Sequence, residues 1–399
     1  MSFRFVTIVF AFGFLLSCSN TSDIALLELQ KTQINVPSER SGPTPRSLDT
    51  TTPQPIVTPV PTRTPEPDCL IDIPTRMGLG QLVMTLSDPS GFSLVRDLAT
   101  GNEIGMVGIL GEPVEEDLLY LLEVNSASHI PFLIASDEEG GRVQRLKHKL
   151  GRLPSAAALS LLPLPEIEKM FMEYGKNLVD LGITIALAPV LDVGQGPGIG
   201  DRSFSNDPQS VIRNAGAVIS GYEKAGILPV LKHFPGHGNA SQDSHLGMAI
   251  TPDIEEMRQI DLLPFDMLLE DRMAVMVGHL WVPGLTGELP ASLSSAAVKD
   301  LLRVQMGFDG LVMTDSLGMA AIEERWPVLE ATLMAINAGV DIVMVPDPKQ
   351  VSSLLDGMEA SLVSGQLKVD AVQESIERIL KFKGVDACTL IASLGGGIN

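Results

Sequence analysis

From about residue 70 onward, short apolar runs alternate with amphipathic stretches, and this alternation constrains the fold more than any other feature of the chain. Eight runs qualify as strands: 81–86, 106–110, 131–136, 183–190, 229–234, 273–279, 311–316 and 341–346. Each is apolar along most of its length, as a strand buried on both faces must be. Helical patterns at 165–181, 209–225, 294–307 and 329–339 lie between several of them. Eight buried strands alternating with helices suit an α/β fold closed as a single (β/α)8 TIM-type barrel better than an open sheet. The first run is ambiguous, because 79–86 fits a helix equally well.

In a parallel barrel the C-terminal ends of all strands open at one mouth. The third run ends in Ser136-Asp137-Glu138-Glu139, the fourth in Val190-Leu191-Asp192 and the fifth in Lys232-His233. The sixth ends in His279 and the seventh in Thr314-Asp315-Ser316. Five apolar strands ending in polar residues predict a polar site at that mouth.

The front of the chain is of another kind. Arg4 precedes the apolar run from Phe5 to Leu16, which is too short to span a bilayer and fits the signal-peptide pattern over residues 1–17. The alternative is a buried N-terminal helix. Leu15-Leu16-Ser17-Cys18 resembles the lipobox of bacterial lipoproteins, which implies cleavage before Cys18 and lipidation of its thiol. Otherwise Cys18 leaves with the signal and the protein is simply secreted. Residues 18–68 are rich in Pro, Thr and Ser and too poor in apolar groups to offset their chain entropy, so a disordered tether is expected. Where extended, at ~3.1 Å per residue, it reaches up to about 100 Å.

Residues 69–399 then form the folded domain, bracketed by Cys69 and Cys388. These two are either inert thiols or, in an exported protein, a disulfide closing the ends of one domain. Three cysteines are too few for a disulfide scaffold and are not spaced as a zinc ribbon. The charge balance, 28 Lys and Arg against 49 Asp and Glu for a net −21, argues against nucleic acid or anionic lipid as partners. Membrane contact is expected through the lipid anchor only, and the protein is expected to be a monomer.

Four histidines fall at strand ends or in the loops that follow: His233, His237, His245 and His279. A metal cluster is one reading of them. Pro235-Gly236 between His233 and His237 rules out a helical ligand pair, however, and no HExxH pattern is present. Neither metal nor cofactor is expected. Glycoside hydrolysis is the other reading, since it needs a nucleophile and an acid/base about an oxocarbenium-like transition state. Asp315 follows Leu311-Val312-Met313 and opens a loop, as a nucleophile would, although a helix N-cap has the same pattern. Asp243-Ser244-His245 offers a histidine oriented by a carboxylate, or merely a polar turn.

Lys232-His233-Phe234-Pro235-Gly236-His237-Gly238 followed by Asp243-Ser244-His245 resembles glycoside hydrolase family 3, in its bacterial β-N-acetylglucosaminidase branch. The segments Asp137 through Arg145, Ala188 through Asp192, Gly200 through Phe204 and Met306 through Asp315 carry the same resemblance in the same order, across about residues 75 to 385. It implies that Asp315 is the nucleophile, that His245 is the acid/base and that Asp243 orients it. It further implies that Asp137, Arg145, Arg202, Lys232 and His233 hold the sugar in the −1 subsite. That branch carries its dyad on a mobile loop, so no second domain is called for. Glu138 departs from the Gln or His common there, and is expected to add charge near Asp137 and tune the subsite.

Other residues have plainer expectations. Arg142 pairs with Glu139 beneath the site, Asp192 supports from a loop, and His237 and His279 pack behind the catalytic groups. Trp281 lines the mouth or acts as a lid, and Met313, Met319, Met334 and Met344 belong to the core. The expected function is a retaining exo-β-N-acetylglucosaminidase acting on peptidoglycan fragments or related amino-sugar glycosides outside the cytoplasm. Alternatives are a β-glucosidase or broad β-glycosidase, catalysis by the substrate's acetamido group with an Asp137-Glu138 pair, transfer to phosphate, and an anchored sugar-binding protein without turnover.

Overall fold

The computed structural model describes residues 69–126 and 128–395. The signal segment 1–17, Cys18 and the tether 18–68 lie outside them. Eight parallel strands close into a barrel: β1 (Val83–Ser87), β2 (Met106–Ile109), β3 (Leu133–Ser136) and β4 (Ile185–Ala186), then β5 (Leu228–Phe234), β6 (Ala274–Val277), β7 (Leu311–Ser316) and β8 (Ile342–Val345). Each strand pairs with its sequence neighbours and β8 returns to β1, as a (β/α)8 barrel requires. The ambiguous first run divides: helix Thr75–Gln81 takes its beginning and β1 its end.

The fourth strand is the shortest because Pro189 has no N–H to extend the ladder. Beyond β4, the Leu187 N–H still donates to the Ser136 carbonyl, the Val230 N–H to the Ala188 carbonyl and the Leu191 N–H to the Lys232 carbonyl, and Val190 bridges to Lys232. Helix Pro208–Ala225 shows how the intervening segments are delimited. Asp207 accepts from the N–H groups of Gln209 and Ser210, and Pro208 takes the first position, where its missing donor costs nothing. Gly226, at φ 85°, closes the helix in the left-handed region that a side chain would resist. Helix Leu164–Asp180 starts one residue before its expected beginning, so Pro165 is its second residue. These two helices pack together, with Phe171 and Tyr222 edge-to-face at 5.1 Å. Such a pair adds ~0.5–1.5 kcal/mol beyond its burial.

A disulfide joins Cys69 to Cys388, tying the turn Cys69–Asp72 to the terminal helix Ala387–Gly395. Among the described residues, no helix is long and apolar enough to cross a membrane.

Two register shifts fall at the mouth, between Lys232 and Phe234 on β5 and between Met313 and Ser316 on β7. A bulge re-aims the side chains beside it. Both bulges lie where the polar residues of the cavity begin.

Candidate active site

The mouth holds a cavity of about 390 Å³, whose lining includes Asp137, Arg145, Arg202, Lys232, His233, His245 and Asp315. Leu86, Leu110, Val143, Met319 and Met344 are among its apolar lining residues. Seven residues expected in the site therefore share one space, and Asp243 stands behind His245. Met319 and Met344, expected in the core, are buried there and also line the cavity, Met319 from the loop after β7 and Met344 from β8.

Asp137 leaves the end of β3, and a short hairpin, Glu138–Gly140 with Val143–Gln144, brings Arg145 back beside it. The Arg145 guanidinium donates to Asp137 at 2.7 Å and the Lys232 ammonium donates to its other oxygen at 2.9 Å. Lys232 also reaches Glu139 at 2.6 Å, and Arg202 grips Glu139 through two bonds of 2.8 Å. Such forked charge-assisted bonds combine strength with directional precision. Glu139 is thus partnered by Arg202 and Lys232, not by Arg142 as expected. Arg142 instead donates to the carbonyls of Gly198 and Ile199 and lies 3.3 Å from Asp201.

These pairings decide the charges. Burial alone would push the Asp137 carboxyl up, but Lys232 and Arg145 outweigh it and hold the group well below the usual carboxylate range. Glu139 is likewise lowered against burial by Lys232 and Arg202. Lys232, 2 % exposed, is kept charged against desolvation by Asp137 and Glu139. A buried ammonium without such partners would give up its proton.

Glu138 points the other way. It is fully buried, bonded to the Ser136 hydroxyl at 2.7 Å, the Tyr174 hydroxyl at 2.6 Å and the Leu146 N–H at 3.1 Å. Its side chain does not line the cavity, because neighbouring residues on an extended strand face opposite sides. Burial outweighs those bonds and pushes its carboxyl up to about 7.

Below the cavity, Asp192 accepts from the N–H groups of His233 and His237 on one oxygen, at 3.2 and 2.7 Å, and bonds His233 Nδ1 at 2.7 Å on the other. Burial opposes its charge, but His233 and those bonds prevail and hold it at about 2. With Nδ1 donating to Asp192, His233 Nε2 is left to accept from Arg202 at 3.3 Å.

Asp315 sits at the end of β7, half-buried, and accepts the Ser316 N–H at 2.8 Å. Burial would raise its carboxyl, yet His233, His279 and that N–H bond leave it below the ordinary range, hence ionised at neutral pH. Opposite, in the loop after β5, the Asp243 carboxylate takes both the backbone N–H of His245 at 3.0 Å and its Nδ1 at 2.8 Å. Asp243 rests on Gly198, where an added Cβ would come within 2.7 Å of the carboxyl carbon. The His245 ring is mostly exposed.

His279 is fully buried, between the Ser292 hydroxyl and the Ser316 carbonyl, each at 2.8 Å, and so supports the strand end that carries Asp315. Trp281 is turned away from the cavity: its N–H donates to the Glu288 carbonyl and its ring stacks on Trp326 at 6.3 Å. Among the described residues, no group of three or more His, Cys, Asp or Glu side chains is arranged to hold a metal ion.

Residues 112–382 match the family model of the glycosyl hydrolase family 3 N terminal domain. Beta-hexosaminidase LpqI of Mycobacterium tuberculosis is 46 % identical over 267 residues, which cover 64 % of this chain and 69 % of that protein. A solved glycosyl hydrolase of family 3 from Mycobacterium smegmatis superposes with a TM-score of 0.75 at 40 % identity, over 79 % of this chain and 98 % of its own. A family 3 beta-N-acetylglucosaminidase from a Paenibacillus species gives 0.72 at 31 % identity, over 79 % and 62 %.

Proposed function

Because this chain belongs to glycosyl hydrolase family 3, we propose that it is a retaining exo-β-N-acetylglucosaminidase with Asp315 as nucleophile and a His245–Asp243 acid/base dyad. The observation that carries this reading is one cavity walled by an ionised carboxylate, Asp315, and by an imidazole whose Nδ1 is taken by a second carboxylate. Asp315 attacks the anomeric carbon while His245 Nε2 protonates the departing glycosidic oxygen, so the C–O bond breaks as the glycosyl ester forms. Water then attacks the anomeric carbon, giving its proton to His245 as the bond from that carbon to Asp315 breaks and the carboxylate is freed. Asp243 fixes the imidazole tautomer and balances the cation formed in the second step.

Asp137, Arg145, Arg202, Lys232 and His233 hold the sugar's polar groups. Their mutual ion pairs pre-set those donors and acceptors, so little ordering remains to be done on binding. The buried, bonded state of Glu138 disfavours an Asp137-Glu138 pair assisting the acetamido group, because one partner faces away from the substrate. The names of the relatives, beta-hexosaminidase and beta-N-acetylglucosaminidase, favour an acetamido sugar over glucose. The lipobox-like segment favours processing after residue 17, lipidation of Cys18, a tether over 18–68 and a barrel from 69 on the outer side of a membrane. Peptidoglycan fragments are the amino-sugar substrates within reach there.

The test compares aryl β-N-acetylglucosaminide with aryl β-glucoside, for the full chain and its Asp315→Ala variant. Turnover of the acetamido sugar alone, lost in the variant, and a glycosyl adduct on Asp315 by mass spectrometry are the expected results. Activity surviving in the variant would overturn the covalent mechanism. Equal turnover of both sugars would make the protein a broad β-glycosidase.

A further inference from the structure

The acid/base loop carries a buried residue between its two functional ones. Asp243 and His245 have side chains 26 % and 61 % exposed, whereas Ser244 is 3 % exposed. Its hydroxyl hydrogen-bonds with His237 Nε2 at 3.0 Å, and its carbonyl accepts the Ala321 N–H at 3.3 Å. His237 is itself 3 % exposed, and its backbone N–H is anchored on Asp192, the carboxylate that also holds His233. The Ser244 hydroxyl therefore connects the loop of the dyad to the carboxylate that positions a sugar-binding residue.

The chemistry of His237 argues for more than packing. Its Nδ1 is buried without a hydrogen-bond partner, and such an orphan costs ~1–3 kcal/mol. An apolar side chain of similar volume would fill the space without that cost, so the Nε2 bond to Ser244 is what the imidazole adds. Burial also holds the ring below the ordinary histidine range, so it is uncharged at neutral pH and does not compete with His245 for the proton.

We propose that His237 is a positioning residue that latches the acid/base loop through Ser244 and thereby aims His245 at the glycosidic oxygen. The inference rests on His245 being the acid. With the latch intact, Ser244 is fixed at both its hydroxyl and its carbonyl, and the paired Asp243 and His245 flank a rigid point from which His245 reaches the cavity. Without it, the loop keeps Asp243 and His245 paired with each other, because their bonds are local, but the pair loses its fixed distance from the substrate. Proton donation suffers while attack by Asp315 does not.

Leaving-group dependence separates those two steps, because a dinitrophenyl aglycone departs unaided whereas a phenyl aglycone needs the acid. For the full chain, kcat/KM is measured with both aryl β-N-acetylglucosaminides in wild type, Ser244→Ala, His237→Leu, the double variant and His245→Ala. Ser244→Ala and His237→Leu should each lower kcat/KM for the phenyl glycoside by about tenfold and change the dinitrophenyl glycoside by less than about twofold. The double variant should be no worse than either single one, because both remove the same bond. His237→Gln, whose amide nitrogen reaches the place of Nε2, should restore most of the phenyl activity. Equal losses on both substrates would mean a merely structural role and overturn the latch. So would wild-type behaviour of Ser244→Ala alongside a selective phenyl defect in His245→Ala, which would leave the acid assignment standing. If His245→Ala itself shows no selectivity, the acid assignment fails, and the latch fails with it.

Discussion

Replacing Glu138 by Gln should stabilise the protein above neutral pH and leave it unchanged in acid. Glu138 Oε1 accepts two donors, the Ser136 hydroxyl and the Leu146 N–H, and Oε2 accepts one, the Tyr174 hydroxyl, so a proton on this carboxyl belongs on Oε2, with the Tyr174 hydroxyl turning from donor to acceptor. A glutamine amide places its oxygen and its NH₂ in the same two positions, so it imitates the protonated acid. Burial pushes the folded carboxyl up to about 7 from an ordinary value of 4.5. Between those values the unfolded chain has lost the Glu138 proton while the folded chain keeps it. The native state then binds more protons, so stability falls as pH rises. The loss is complete above about 7 and amounts to about 3 kcal/mol at ~1.4 kcal/mol per tenfold in acidity. Glutamine cannot ionise and does not incur it. For a domain of this size, at ~2.1 cal/mol/K of unfolding entropy per residue, the difference is about 4 to 5 °C in Tm. Thermal unfolding of wild type and Glu138→Gln from pH 4.5 to 8.5 should give curves that coincide in acid and diverge through neutrality, with the variant higher. Parallel curves across that range would refute the reasoning, because they would mean that Glu138 titrates alike in both states.

Two further changes probe the supports of the site. Asp192→Asn keeps the oxygen that receives the His233 and His237 N–H groups, but sets a donor against His233 Nδ1. A fall in kcat/KM of ~10- to 100-fold is expected from steady-state kinetics, as for other partners that orient an imidazole. Because Asp192 is held at about 2, below the ordinary 3.8, its contribution is present above 3.8 and lost as pH falls toward 2. The acid limb of wild-type stability should therefore include a loss of about 2 kcal/mol that the variant lacks. Breaking the disulfide, by Cys69→Ser or Cys388→Ser, reopens a loop of 319 residues. It should cost ~2–5 kcal/mol in thermal unfolding with kcat unchanged, since the bond lies outside the cavity. A variant as stable as wild type would show that the bond contributes nothing to the native state.

The barrel was legible in the sequence because each of its strands is buried on both faces and therefore apolar along its length. The exceptions have local causes: Pro189 shortens the fourth strand, and helix Thr75–Gln81 shares the first apolar run with β1. The placement of polar residues at one mouth was equally legible, since parallel strands end at the same pole. What could not be read was which charge meets which. Glu139 is three residues from Arg142, yet it pairs with Arg202 from the loop after β4 and with Lys232 on β5, brought together by closure of the barrel. Met319 and Met344 are buried core residues that also line the cavity, a fact of position that composition does not reveal. Glu138 is different, for its orientation was available from the alternation of side chains along an extended segment. Of three consecutive carboxylates, 137 and 139 share one face and 138 takes the other. The first and third therefore meet cations at the mouth and stay charged, and the second enters the wall and is driven to keep its proton. That one step of strand geometry separates the carboxylates paired with cations at the mouth from the one that sets the pH dependence of the fold.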